Sequence, residues 1–282
     1  MMIADASATC PPRVFAPVRV VLLGAGRVAH HLGPALAAAG HAVVGVWSRT
    51  AVAAAALARH LPQARELTSL ADLPAADVYL LALPDAVVPQ VLAAARVPAG
   101  SMVAHTAGAL PLAVFAARPE LRGGVFYPLQ TFGPGRTIDW PTVPLCLEAA
   151  DAAGLATLHA LAESLSQDVR EVDSARRLQL HVAAVWASNF PNHLLGIARE
   201  LLEQAGLPWQ LLHPLIRETV DKALTQPPFE AQTGPAVRHD AATLARHAGA
   251  LAAHPRWLAL YGGLTASIQD VAGGGANNPP PG

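Results

Sequence analysis

The sequence predicts an α/β fold: an N-terminal doubly wound, mostly parallel sheet followed by an all-α C-terminal domain. Short apolar runs rich in β-branched residues alternate with alanine-rich stretches of helical length as far as residue 173, the pattern of successive βαβ units. Those runs are apolar throughout instead of alternating, which implies a sheet covered on both faces. Past residue 173 the strand signals stop and only helical stretches remain.

The expected strands are residues 19–23, 42–47, 78–83, 102–105, 124–127, 144–148 and 169–172. Helices are expected at 27–39, 51–60, 86–95, 110–117 and 152–166 between them, then at 174–204, 209–224, 240–253 and 255–271. Pro208, Pro227–Pro228 and Gly234–Pro235 punctuate the helical part. The expected organisation is a loose leader (1–17), a sheet domain (18–173), a helical domain (174–271) and a disordered Gly/Asn/Pro tail (272–282).

Composition narrows the function classes. The 282 residues are 52% hydrophobic and 14% charged, a core-rich globular balance. A net charge of −1 lacks the basic excess of a nucleic-acid binder. Mean hydropathy is +0.34, yet the most apolar runs are strand-length and end at Gly or Pro, far short of a membrane span. The start lacks a basic segment followed by an apolar one, so no signal peptide is read there. Cys10 and Cys146 form no disulfide framework, and the cytoplasm is the expected location. The 12 histidines are scattered without metal-ligand spacing, so no metal is expected; His30-His31 reads as incidental.

The first strand leads directly into Gly24-Ala25-Gly26-Arg27-Val28-Ala29 and a helix, the G-x-G-x-x-A form of the dinucleotide fingerprint of a Rossmann domain. Gly24 makes the turn, Gly26 lets a pyrophosphate approach the backbone, and Ala29 lets the helix sit close to the strand. The phosphates would meet free N–H groups at the helix N-terminus. The second strand ends in Ser48-Arg49-Thr50, where an NAD site usually carries an acid for the ribose 2′-hydroxyl. Two hydroxyls and a guanidinium suit a 2′-phosphate instead, so NADP(H) is the expected cofactor. Leu83 and Pro84, with Thr106 and Gly108, follow two further strands and are expected beside the nicotinamide ribose and ring.

Together with the fingerprint, His105-Thr106-Ala107-Gly108-Ala109-Leu110, Tyr127-Pro128-Leu129-Gln130-Thr131-Phe132, Ser188-Asn189-Phe190 and Thr233-Gly234-Pro235 resemble a known family. The chain is similar to the Rossmann-like proteins with a DUF2520 domain, relatives of pyrroline-5-carboxylate reductases and β-hydroxyacid dehydrogenases. The resemblance spans residues 18–271 and implies a nicotinamide-dependent reductase with a helical, dimerising second domain. Three positions depart from the family pattern: Ala107 stands for a serine, Tyr127 for a histidine and His239 for a glycine.

In the related reductases the proton donor comes from the first long helix of the second domain. Here that stretch carries Arg177, His181, Ser188 and Asn192, which on a regular α-helix fall along one stripe with Asn189 beside it. His181 is the candidate acid, Ser188 or Asn189 would orient the substrate oxygen, and Tyr127 is a rival donor. Lys222 is a weaker one. Asn192, Thr233 and Arg238 are candidate substrate contacts, the arginine suiting a carboxylate. Asp240 reads as a helix N-cap, and His247 as a structural histidine. The expected function is an NADPH-dependent reductase of a small carbonyl or imine, such as a 2-keto acid like ketopantoate. The alternative is a protein that binds or senses NADP(H) without turnover. Neither a membrane nor a nucleic acid is an expected partner; a small-molecule substrate and a second copy of the chain are.

Overall fold

The computed structural model describes residues 16–274, which divide into two compact units, one ending at Asn189 and the other beginning at Phe190. Most of the leader and tail segments lie outside the described residues. The division falls one helix later than the end of the strand signals, because the helix after residue 173 is anchored to the sheet through a buried arginine.

The first unit is an eight-stranded sheet: β1 (Arg19–Leu23), β2 (Ala42–Trp47), β3 (Arg65–Leu67), β4 (Val78–Leu81), β5 (Met102–His105), β6 (Arg122–Pro128), β7 (Leu145–Ala149) and β8 (Val169–Glu171). Its order is β3-β2-β1-β4-β5-β6-β7-β8. All neighbours pair in parallel except β6 and β7, which are antiparallel. Along β1, Val20 and Leu22 enter one apolar cluster and Val21 and Leu23 the other, so both faces are covered, as the continuous apolar runs require. Covering helices are α1 (Arg27–Ala38), α2 (Ala51–Ala58), α3 (Val88–Ala94) and α4 (Ala152–Glu163).

Four local expectations are corrected. Strand β3 has no counterpart among the expected strands; it is a three-residue edge strand whose Arg65 and Glu66 are exposed, so it carries no apolar run. The stretch 110–117 is a short 3₁₀ segment, Leu112–Ala117, entered through Pro111. The stretch 86–95 opens with a 3₁₀ turn at Asp85–Val87 before α3 begins at Val88, with Pro89 in its first turn. The long helix expected over 174–204 is α5 (Ser174–Ala184), a π-turn at Val185–Asn189 and then α6 (Phe190–Gln204). A π-turn spreads its residues more widely about the axis than 3.6 per turn, so an α-helical stripe cannot be carried from His181 to Asn192.

Because β7 reverses the chain, β8 runs back toward the start of β6, and α5 leaves from that side. Asp173 caps α5 by accepting from the Arg176 N–H at 2.8 Å. Leu180 then packs on the cluster of Val125, Tyr127 and Cys146, laying α5 along β6 and β7. This arrangement carries His181 to the carboxyl ends of β5 and β6.

The second unit contains α6, α7 (His213–Thr225), α8 (Ala241–Ala250) and α9 (Pro255–Ala272). Asp240 caps α8, accepting from the Thr243 N–H at 3.0 Å, as its position predicts. The preceding His239, where the family pattern has glycine, adopts a left-handed φ of 50°, a conformation that glycine takes at no steric cost. No residue of these four helices is buried. Leu194, Leu215 and Leu224 are 37%, 62% and 81% exposed. Among the described residues no helix is long and apolar enough to cross a membrane.

Candidate functional site

The sheet changes winding direction between β1 and β4, where crossovers leave β1 toward β2 on one side and β4 lies on the other; ligands of such sheets bind outside the carboxyl ends of the strands at that point. Gly24 sits there with a φ of 123°, and its N–H donates to the Trp47 carbonyl at 2.7 Å. A Cβ on Gly24 would lie 2.2 Å from the Ala82 carbonyl oxygen, so the turn closes only with glycine. At Gly26 a Cβ would meet nothing nearer than 3.9 Å: that glycine is exposed, and the space above it is open for a ligand. Gly26 is the N-cap of α1, with no side-chain cap and no acid in the first turn. Ala29 is fully buried against β1, as the fingerprint requires. Ala25 and Val28 are half-buried and Arg27 is exposed. This cradle fits a pyrophosphate.

Ser48 is half-buried and Arg49 and Thr50 are exposed, the last as N-cap of α2. The Arg49 guanidinium is engaged by no acid among the described residues. Leu83 is half-buried and Pro84 exposed at the end of β4. Thr106 is buried, and its hydroxyl and N–H both point at the Leu81 carbonyl, at 3.4 and 3.2 Å. Its oxygen lone pairs stay available to a ligand donor.

Gly108 serves a second purpose. A Cβ there would lie 2.5 Å from His181 Nδ1 and 2.9 Å from Tyr127 Cζ. The bare backbone admits a pair that the sequence offers as rivals: the Tyr127 hydroxyl and His181 Nδ1 are 3.1 Å apart. The rings meet edge to face. Tyr127 is buried, His181 half-buried. Burial is the first cause that pushes the Tyr127 phenol up to about 12, with Cys146 adding to it and Arg177 opposing. Ser188 is half-buried and Asn189 exposed within the π-turn, a kind of distortion that recurs at functional sites.

Arg177 does not line a ligand stripe. It is 1% exposed and forms an ion pair with Glu148 at 2.5 Å, also donating to the Leu110 carbonyl at 2.6 Å. Ser174 completes the network, its hydroxyl donating to Glu148 at 2.7 Å while accepting from the Leu112 N–H. His105, fully buried, stacks on Phe115 and accepts from the Ala107 N–H. Burial first, and Arg177 second, hold its imidazole down to about 4, so it is neutral. Sequence reasoning assigned neither residue this role; a charged residue on a helix that faces buried strands was the available signal. His31 is also not incidental: its Nε2 lies 3.1 Å from the Gly133 carbonyl and its ring beside Phe132, fastening the loop between β6 and β7 onto α1.

Asn192, Thr233, Arg238 and Lys222 belong to the second unit. The first three are exposed, and Lys222 is half-buried on α7. His247 is held by Tyr261, Nδ1 to hydroxyl 2.8 Å, in line with a structural histidine. Among the described residues no group of side chains could hold a metal ion.

Comparison with known proteins gives a consistent picture. A Rossmann-like domain matches residues 5–127, and a family described as a domain of unknown function (DUF2520) matches residues 143–268. A solved structure from Bacteroides fragilis, assigned as an NADP oxidoreductase, is 36% identical with a TM-score of 0.82, the alignment covering 90% of this chain and 98% of that one. A Thermotoga maritima protein is 22% identical with a TM-score of 0.73, covering 90% and 99%. A reductive aminase from Aspergillus terreus, in complex with NADPH and ethyl-5-oxohexanoate, shares the fold at 17% identity and a TM-score of 0.65, over 92% and 93%. No curated protein matches the chain.

Proposed function

The chain belongs to the Rossmann-like proteins with a DUF2520 domain, and from that premise we propose that it is an NADP(H)-dependent oxidoreductase that reduces a small carbonyl or imine compound. The observation that carries the reading is the juxtaposition of a glycine cradle at the winding switch with a Tyr127–His181 pair at the ends of β5 and β6. A bound nicotinamide would supply the hydride. Gly24 and Gly26 admit the pyrophosphate to the α1 N-terminus, and Ser48, Arg49 and Thr50 receive the 2′-phosphate. Thr106 and Gly108 flank the nicotinamide, His181 gives the proton, and Ser188 or Asn189 holds the substrate oxygen. The Bacteroides relative supports the cofactor, and the Aspergillus fold neighbour supports the carbonyl and imine class. The neighbours described above do not point to ketopantoate, and the described residues of the site do not favour binding without turnover.

The exposed apolar residues of α6 and α7 support a homodimer in which these faces are covered by a second copy. The test of the function is NADPH oxidation, followed at 340 nm, against a panel of 2-keto acids, aldehydes and cyclic imines. Turnover with at least one class is expected, and His181→Ala should lower it by about 10²–10⁴ with NADPH affinity unchanged. NADPH binding without turnover of any of them would overturn the reductase reading.

A further inference from the structure

We propose that Tyr127 is the positioning residue of His181: its hydroxyl donates to Nδ1, holds the imidazole as the Nε2–H tautomer, and passes a proton through the ring to the substrate oxygen. The inference rests on the reductase reading but concerns an arrangement visible in the free protein.

The direction of the hydrogen bond follows from counting donors and acceptors. The Tyr127 hydroxyl carries one proton, belongs to a side chain that is mostly buried, and has His181 Nδ1 as its hydrogen-bond partner at 3.1 Å. Were Nδ1 to carry the ring proton and donate to the phenol oxygen, the hydroxyl proton would have no acceptor among the described residues. With the phenol donating, Nδ1 is the acceptor and the ring proton is on Nε2. Nε2 has no hydrogen-bond partner among the described residues, so its proton is free for a ligand. Gly108 makes the arrangement possible, since any side chain there would displace either ring. Glu148 does not compete for the imidazole, being engaged by Arg177 and Ser174.

The arrangement solves a chemical problem. A neutral imidazole that gave up its Nε2 proton alone would become an imidazolate. Here the substrate oxygen takes the Nε2 proton while Nδ1 takes the Tyr127 proton, and the ring stays neutral. The N–H and O–H bonds broken are matched by an O–H and an N–H formed; after product leaves, Nδ1 returns its proton to the phenolate and Nε2 takes one from water, which restores the starting tautomer. The charged and titratable groups acting on Tyr127 are Arg177 from α5, which eases ionisation, and Cys146 from β7 and Asp85 after β4, which oppose it. Held up by burial, the phenol remains protonated through the neutral range, so its proton is present on the bond to Nδ1.

The test uses the full chain labelled with ¹⁵N-histidine and long-range ¹H–¹⁵N correlation spectra from pH 6 to 9, His181→Gln assigning the signals. The wild type is expected to show the Nε2–H tautomer with an unprotonated, hydrogen-bonded Nδ1, and Tyr127→Phe a mixture of both tautomers at unchanged Tm. A predominant Nδ1–H tautomer in the wild type, or a pattern unaffected by Tyr127→Phe, overturns the proposal. In the turnover assay Tyr127→Phe should retain KM and acquire a kcat that falls about tenfold per pH unit on the alkaline side, because only the imidazolium can then donate. A kcat profile identical to the wild type also overturns it. Absence of turnover in the wild type counts against the reductase reading and leaves the tautomer to be decided by the spectra.

Discussion

The buried Arg177–Glu148 pair is the place where a single substitution should do most damage. Arg177 is 1% exposed and Glu148 17%, so neither charge is well hydrated, and Leu110 and Ser174 depend on the same network. In Glu148→Leu the guanidinium stays buried with only the Leu110 carbonyl and the Ser174 hydroxyl as acceptors, at a cost of about 3–5 kcal/mol. In Arg177→Met the carboxylate keeps its Ser174 donor and some water while the Leu110 carbonyl loses its partner, for about 3 kcal/mol. The double variant removes both charges and should lie within about 1–2 kcal/mol of the wild type. At about 2–4 °C per kcal/mol, the Tm of Glu148→Leu should drop by roughly 6–20 °C. Urea titration followed by circular dichroism gives the three values and their coupling energy. Single variants costing less than about 1 kcal/mol, or a double variant costing the sum of the singles, would refute the description of the pair as one buried unit.

Three other outcomes are expected. NADPH should bind at least about tenfold tighter than NADH, and Ser48→Asp should erase that preference by placing a carboxylate beside the 2′-phosphate; calorimetry showing equal affinities in the wild type defeats the assignment. His105 is held near 4 in the folded chain against about 6.5 when unfolded, so the unfolded chain takes the proton first: its contribution is complete above about pH 6.5 and is lost as pH falls to about 4, about 3 kcal/mol in all. His105→Asn should flatten that stretch of the stability–pH curve, and an unchanged slope contradicts it. Light scattering should give twice the 29.2 kDa chain mass at micromolar concentration; a monomer counts against the helical faces being covered by a second copy.

The parts legible in the sequence are those written locally. Val20 to Ala29 spells strand, turn and helix within ten positions, and the collision that a Cβ on Gly24 would suffer at Ala82 is the physical content of its glycine. The edge strand β3 was not legible, because an edge exposed on one side needs no apolar run and Arg65-Glu66-Leu67 supplies none. The π-turn at Val185–Asn189 was hidden for a different reason: one extra residue in a turn leaves composition unchanged and shifts only the phase of the helix beyond it. His181 and Tyr127 are each singled out by residue type, but 54 positions separate them, and only the reversal of β7 brings α5 back to the strand ends where they meet. The same holds for Arg177, whose partner Glu148 is unremarkable on its strand.

That reversal also sets the order in which the parts can exist during synthesis. Everything the phosphate cradle needs, from β1 through the Ala82 carbonyl, is present once the first third of the chain has emerged. The Tyr127–His181 pair, proposed to donate the proton, requires β7, β8 and α5, and His181 is translated nearly a hundred residues after Ala82. At about 5–20 residues per second the interval is roughly 5–20 s. A nascent chain in that window has the strands that surround a nucleotide phosphate but not yet the assembled Tyr127–His181 pair, so recognition is laid down before reactivity.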